Sequence, residues 1–189
     1  MRLLARAGRL FPRSETVEAV QTRVHFDDVP DAVWKRMLFY EEVQGRPGLL
    51  LRAFLPAPVR TEGDKTRVGA TIECTYDEGY LEKRITACEA PSFVRFEVLV
   101  QRLGIEDCVS MKEGSYDMVA DGAGGTDVVL TTHYRGHLRP RWLWRPLERI
   151  LAHRLHRHIL DGMRARLAEA KSGQLASGEE AEPSGVRAG

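Results

Sequence analysis

Three histidines stand close together late in the chain, His153, His156 and His158, and their spacing raises the question of a metal. Ligands one helical turn apart need a spacing of three or four residues on a common face. His153 and His156 meet that requirement, whereas His158 lies about 160° around the helix from His156. No HExxH motif and no carboxylate at helical spacing accompanies them. No metal is therefore expected, and the pair reads as a solvated basic helix face. His158 shares a side with Leu147, Leu151 and Leu155. It is expected at a cavity or its edge, as a satisfied structural histidine ahead of a catalytic base. His25, His133 and His137 alternate with apolar residues and read as outward-facing.

Lys83 has the other unusual setting, between Leu81 and Ile85 on an apolar face. Buried without a partner it would be costly. It is expected to pair with Glu113 or to extend to a rim; the alternative is that it binds an acidic ligand or acts as a base. Tyr76, Tyr116 and Tyr134 also fall on inward faces. Each joins an apolar ring to one hydroxyl, which suits a site that must bury a molecule and orient it. Cys74, Cys88 and Cys108 are odd in number and form no CxxC pair, which suggests neither disulfides nor zinc. There is no GxSxG, and the Gly122-Ala-Gly-Gly125 run opens no helix, so it is a hairpin loop and not a phosphate cradle. The Cys/His pairs of a Rieske cluster or a mononuclear iron site are absent too. No cofactor is expected.

The elements that must hold these residues follow from periodicity. Residues 16–26 alternate, with Val20, Thr22, Val24 and Phe26 on one face. A helix follows, with Asp27 or Asp28 as cap, Pro30 in its first turn and Val33, Trp34, Met37 and Leu38 as its apolar stripe. Gly45, Pro47 and Gly48 end it, and Leu49 to Leu55 form a second short helix that Pro56 and Pro58 stop. From Val59 the period becomes two. Turns at Asp77–Gly79, Ala90–Ser92 and Asp121–Gly125 separate strands whose inward residues include Ile72, Cys74, Tyr76, Leu81, Ile85, Ala87, Val94, Phe96, Val98, Val100, Tyr116, Met118, Val128, Leu130, Thr132 and Tyr134. An irregularity is expected at Gly114. The last element is a long helix from about Pro146, with an earlier turn from Arg141, to Ala170. Its row Leu147, Leu151, Leu155, Ile159, Met163 and Leu167 drifts around the helix and calls for a curved partner surface. The expected architecture is α+β: a curved antiparallel sheet of six to seven strands in a meander, wrapped around the terminal helix.

Composition bounds the function. The chain has 189 residues, 43% of them hydrophobic and 29% charged, enough for one domain with a real core. Its 28 Lys and Arg balance 27 Asp and Glu, which argues against nucleic acid as the main partner. Residues 1–15 read as a basic arm, 16–170 as the domain and 171–189, rich in Gly, Ser and Glu, as a disordered tail. No transmembrane segment is expected, peripheral membrane contact stays open, and a reducing cytoplasm is the simplest compartment.

Three stretches carry a family likeness: VHFDDVPDAVW, GYLEKRITACEAPSFVRFEV and GSYDMVADGAGGTDVVLTTHY. In this order and spacing they resemble the START and birch-pollen-allergen superfamily, SRPBCC, with its helix-grip fold. The RPRWLWRPLE ending resembles its bacterial polyketide-cyclase/dehydrase-like branch. The likeness covers about residues 16–170 and implies a ligand cavity between sheet and helix, without naming its occupant. The residues expected to line it are Ile72, Cys74, Tyr76, Ile85, Phe96, Val98, Tyr116, Met118, Leu130, Thr132 and Tyr134 from the sheet, with Leu151, Leu155, His158 and Ile159 from the helix. A typical ligand site would measure about 300–1,000 Å³. The leading expectation is a hydrophobic or amphipathic small molecule, lipid- or polyketide-like. The alternatives are a cyclase or dehydrase using proton transfer by Lys83, Tyr134 or His158, and an interaction module using the basic face of the terminal helix.

Overall fold

The structure, a computed structural model, describes residues 16–38, 48–56 and 58–179. The expected basic arm at 1–15, Gly45 and Pro47 at the end of the first helix, and the last part of the tail at 180–189 lie outside the described residues. The elements are β1 (Glu18–Phe26), α1 (Pro30–Leu38), α2 (Leu49–Phe54), β2 (Pro58–Glu62), β3 (Thr71–Tyr76), β4 (Gly79–Glu89), β5 (Phe93–Arg102), β6 (Val109–Ala120), β7 (Thr126–Gly136) and α3 (Arg141–Glu179).

The seven strands form one antiparallel sheet in the order β1-β7-β6-β5-β4-β3-β2. Strands β2 to β7 are the expected meander, because short turns leave consecutive strands no other neighbour. The turn into β4 depends on Gly79, which has φ near +143° and lies against the Arg102 carbonyl with no room for a Cβ. β1 joins on the far side of β7, in register from Glu18 opposite Tyr134 to Phe26 opposite Thr126. Pro30 opens α1, where its missing N–H costs nothing, and Val33 and Trp34 turn into the core.

Two irregularities shift side chains between faces. In β4 the register slips between Ile85 and Ala87, so that Cys88, opposite Val94, packs against the core where Ala87 was expected. In β5 a slip leaves Val100 opposite Glu82 on the outer face and turns Gln101 inward, opposite Leu81. Paired ladder between β5 and β6 runs only from Phe93–Asp117 to Glu97–Glu113. Beyond it the strands part, and the Gln101 side chain bridges the gap: its Nε2 donates to the Val109 carbonyl at 2.9 Å, and the Met111 N–H donates to its Oε1 at 2.8 Å. The irregularity expected at Gly114 falls just before it, between Met111 and Glu113. Gly114 itself lies opposite Phe96, where an added Cβ would come 2.6 Å from the ring.

α3 begins at Arg141, five residues before Pro146, which sits inside the helix. The Arg141 guanidinium grips Glu148 with two hydrogen bonds of 2.7 and 2.8 Å across the turn in which Pro146 supplies no donor. The helix continues to Glu179. It thus runs past residue 170, into the first nine residues of the stretch expected as a tail. The main core joins Phe26, Val33, Trp34, Ile72, Ile85, Val94, Phe96, Met118, Val128 and Leu130 to Leu160, Met163 and Leu167 of α3.

Candidate functional site

Between the concave face of the sheet and the first half of α3 the packing is incomplete. Among the described residues two cavities there measure about 100 and 120 Å³, and a smaller one of about 60 Å³ adjoins the second beside Leu138, Trp144 and Leu147. The two larger ones share Tyr76, Lys83, Phe96, Tyr116 and Ile159, so they are two lobes of one interior. The first lobe lies toward β2 and β3 and adds Ile72, Cys74, Ile85, Val94 and Met163. The second lies toward β6 and β7 and adds Leu103, Ile105, Met111, Leu130, Thr132, Tyr134, Leu151, Leu155 and His156. Each lobe is smaller than the 300 Å³ lower bound expected. The Phe96 and Tyr116 rings, 6.3 Å apart and tilted by 41°, line both of the larger lobes.

Most residues expected at the site do line these lobes; Val98, Met118 and His158 do not. Met118 is part of the packed core, and Val98 packs near Leu81, Leu103 and Ile105. His158 is half-buried away from both lobes; burial lowers its pKa and Asp161 partly opposes this. The histidine that faces the cavity is His156, 3% exposed. Its signal was present in the sequence: His156, Leu160, Met163 and Leu167 follow the four-three-four spacing of a buried helix stripe. His156 is therefore no part of a solvated face. His137, expected on the surface, is also buried, with its Nε2 2.8 Å from Ser110 Oγ. It stands one residue beyond β7, where the chain leaves the sheet and alternation no longer sets direction. His133 and His25 do face outward, beside Glu113 and Asp127.

The polar groups of the cavity have distinct environments. The Lys83 ammonium lies 4.5 Å over the centre of the Phe96 ring, a cation–π contact in the wall common to both lobes, and not beside Glu113. Burial, with Cys74 and Tyr116 nearby, pushes the Tyr76 pKa up. Burial, then the negative charges of Glu148 and Glu18, pushes Tyr134 up to about 12. Both phenols therefore keep their protons and serve as donors, not as acids or bases near neutrality. The Tyr134 hydroxyl is enclosed and has no hydrogen-bond partner among the described residues. Burial, then the neighbouring His153, pushes His156 down to about 4, so it is a neutral imidazole. Its Nε2 is 2.9 Å from Thr132 Oγ1 and its Nδ1 is 3.1 Å from Thr22 Oγ1. Thr22 Oγ1 is also 2.8 Å from His153 Nδ1. The pair once weighed as metal ligands thus converges on a threonine hydroxyl. Among the described residues no group of three His, Cys, Asp or Glu side chains comes together as a metal site.

A curled seven-stranded antiparallel sheet closed by a long C-terminal helix is the helix-grip fold of START and birch-pollen-allergen-like proteins. Solved structures with this fold match most of the chain. A START superfamily protein from Mycobacterium smegmatis superposes with a TM-score of 0.58 at 11% identity, over 80% of this chain and 98% of that one. The Zhui aromatase/cyclase from Streptomyces sp. R1128 gives 0.56 at 16%, over 81% and 94%. Norcoclaurine synthase from Thalictrum flavum, in complex with dopamine and hydroxybenzaldehyde, gives 0.53 at 13%, over 84% and 94%. At these identities the likeness establishes the fold alone. No family model and no curated protein matches the sequence.

Proposed function

We propose that this protein binds a small, mainly apolar molecule with one polar end in the two-lobed cavity between the sheet and α3. The observation that carries the reading is the Tyr134 hydroxyl. It lines the second lobe and has no hydrogen-bond partner among the described residues, which costs free energy unless something else accepts a hydrogen bond from it. A ligand oxygen would do so. Lys83, in the shared wall, favours a ligand whose polar end is an anion or a carbonyl.

Lobe size refines the class. A cavity of about 150 Å³ accommodates a benzene ring, so each lobe matches roughly one ring and the pair a compact two-ring molecule. This favours a polyketide-like aromatic over a long-chain lipid. Norcoclaurine synthase, of the same fold, has been solved with two small aromatic compounds. The test is fluorescence titration with 2-naphthol, a two-ring molecule bearing one hydroxyl. Saturable binding is expected, lost in Leu155→Trp, which fills the second lobe from the helix. A wild type that takes up no probe, or a folded Leu155→Trp that binds equally well, would sink the reading.

The second reading is that of a cyclase- or dehydrase-type enzyme. With the Tyr76 and Tyr134 phenols held protonated, that chemistry would fall to Lys83 in the shared wall and to the Thr132–His156 pair, where a neutral imidazole meets a hydroxyl.

A further inference from the structure

We infer that Thr132, His156, Thr22 and His153 form a proton path from the cavity to the protein surface, serving a bound weak acid with a phenolic or enolisable hydroxyl. The path goes beyond the binding proposal, on which it rests only for its proton source.

The four side chains come from three elements, β7, α3 and β1, and are joined by contacts of 2.9, 3.1 and 2.8 Å. One end, Thr132, lines the second lobe. The other, His153, is half-buried at the outside of the β1–α3 seam. Each threonine hydroxyl can donate one hydrogen bond and accept others, and each neutral imidazole does one of each. The chain is therefore complete in two opposite senses. In the first, Thr132 O–H donates to His156 Nε2, His156 Nδ1–H donates to Thr22 Oγ1, and Thr22 O–H donates to His153 Nδ1. In the second, every donor and acceptor is exchanged: His153 Nδ1–H donates to Thr22, Thr22 to His156 Nδ1, and His156 Nε2–H to Thr132.

Passing from the first sense to the second moves one proton. The ligand hydroxyl gives its proton to Thr132 Oγ1 as the Thr132 proton goes to His156 Nε2. The His156 Nδ1 proton goes to Thr22, and the Thr22 proton to His153 Nδ1. The products are a ligand oxyanion in the cavity and a His153 imidazolium at the surface. Every O–H and N–H bond broken is matched by one formed, and His156 is neutral before and after. No charge need rest on the buried imidazole, which is where a charge would cost most. A cluster that merely pinned α3 to the sheet would have no use for a continuous chain ending at a half-exposed base.

The experiment uses 2-naphthol, which becomes a strong acid on photoexcitation and emits in separate bands as naphthol and naphtholate. Bound to the wild type it should emit as naphtholate. Thr22→Val and His153→Phe should keep binding and folding, measured by titration and circular dichroism, and lose the naphtholate band; Thr22→Ser should restore it. The inference is overturned if the bound probe emits only as naphthol in the wild type, or if the band survives both substitutions. A second measurement needs no ligand: solvent exchange of the His156 ring proton by NMR. It should be fast in the wild type and slowed by Thr22→Val and His153→Phe. Equal exchange in all three proteins overturns the path, while failure of 2-naphthol to bind with exchange still path-dependent removes only the binding proposal.

Discussion

The two halves of α3 are held to the sheet by different physics. The second half buries Leu160, Met163 and Leu167 among Phe26, Val33, Trp34 and Met118, in continuous apolar contact. The first half is pinned by polar groups: Arg141 to Glu148 and Glu18, Arg145 to Glu18 at 2.6 Å, and His153 and His156 to Thr22 and Thr132. Apolar burial has no preferred geometry and proceeds until the gap is filled. Hydrogen bonds and bidentate ion pairs fix distance and direction. The larger lobe lies against the polar half, from Glu148 to Ile159, and the smaller one reaches across the boundary between the halves, touching Ile159 and Met163. The larger space survives where directional contacts hold the helix, and the interior narrows where apolar contacts take over.

The largest test of this contrast is Leu160→Ala. Leu160 is fully buried in the packed half, so the substitution should cost about 2–5 kcal/mol by chemical denaturation. A much smaller loss would mean that the second half is not the anchor.

Acid should act on the polar half. The His156 pKa falls from 6.5 to about 4 on folding, mainly by burial. The unfolded chain then binds the extra proton between those values, so stability is full above about pH 6.5 and is lost as pH falls toward 4. At ~1.4 kcal/mol per unit the loss is on the order of 3 kcal/mol. His158, also lowered by burial, adds slope in the same direction. His156→Gln should remove the larger part of the slope; an unchanged profile would show that His156 is not the titrating group.

Next in size is Glu148→Ala, which leaves Arg141 with Glu18 as its partner. In a cluster within reach of solvent this should cost about 1–3 kcal/mol. The Glu18 carboxyl would be raised by burial, but the hydrogen bonds and charges of Arg141 and Arg145 outweigh this and hold it below its ordinary value of 4.5. Its contribution is thus present above about 4.5 and lost as pH falls through its lower folded pKa, so it fails in more acid solution than the histidine. Guanidinium-free urea titrations at pH 7, 5 and 3 would separate the two.

The smallest effect on stability is expected from Tyr134→Phe, within about 0.5 kcal/mol, since the hydroxyl has no partner among the described residues to lose. Its binding of 2-naphthol should weaken by roughly 0.5–1.5 kcal/mol, one net hydrogen bond. A large loss of stability with unchanged binding would reverse the roles assigned to this residue.

The fold was legible because period-two alternation survives in most strands. Ile72, Cys74, Tyr76, Phe96, Leu130, Thr132 and Tyr134 all fall on the expected face. Alternation fails where a ladder slips, and it carries no record of a slip: Ala87 and Val100 were assigned by counting through bulges that pairing geometry alone reveals. His156 was missed for a different reason. His158 was selected because it shares a side with Leu147, Leu151 and Leu155 at the start of the helix. The buried stripe instead turns with the helix toward Leu160, and carries His156 inward. Cavity size was not legible, because it depends on where the Phe96 and Tyr116 rings come to rest.

Phe96 rests where it does because Gly114 opposite it has no side chain. The nearest ring carbon would lie 2.6 Å from a Cβ there, and the Thr131 carbonyl 2.7 Å. The capacity of the interior is therefore set by a backbone position that contributes no atom to its wall. Enlarging residue 114 would drive the ring into both lobes at once and shrink the space, and would shift the Lys83 ammonium that stacks on it. Size selectivity and the seat of the Lys83 charge are in this way joined at one ring, so that a change in the first is felt by the second.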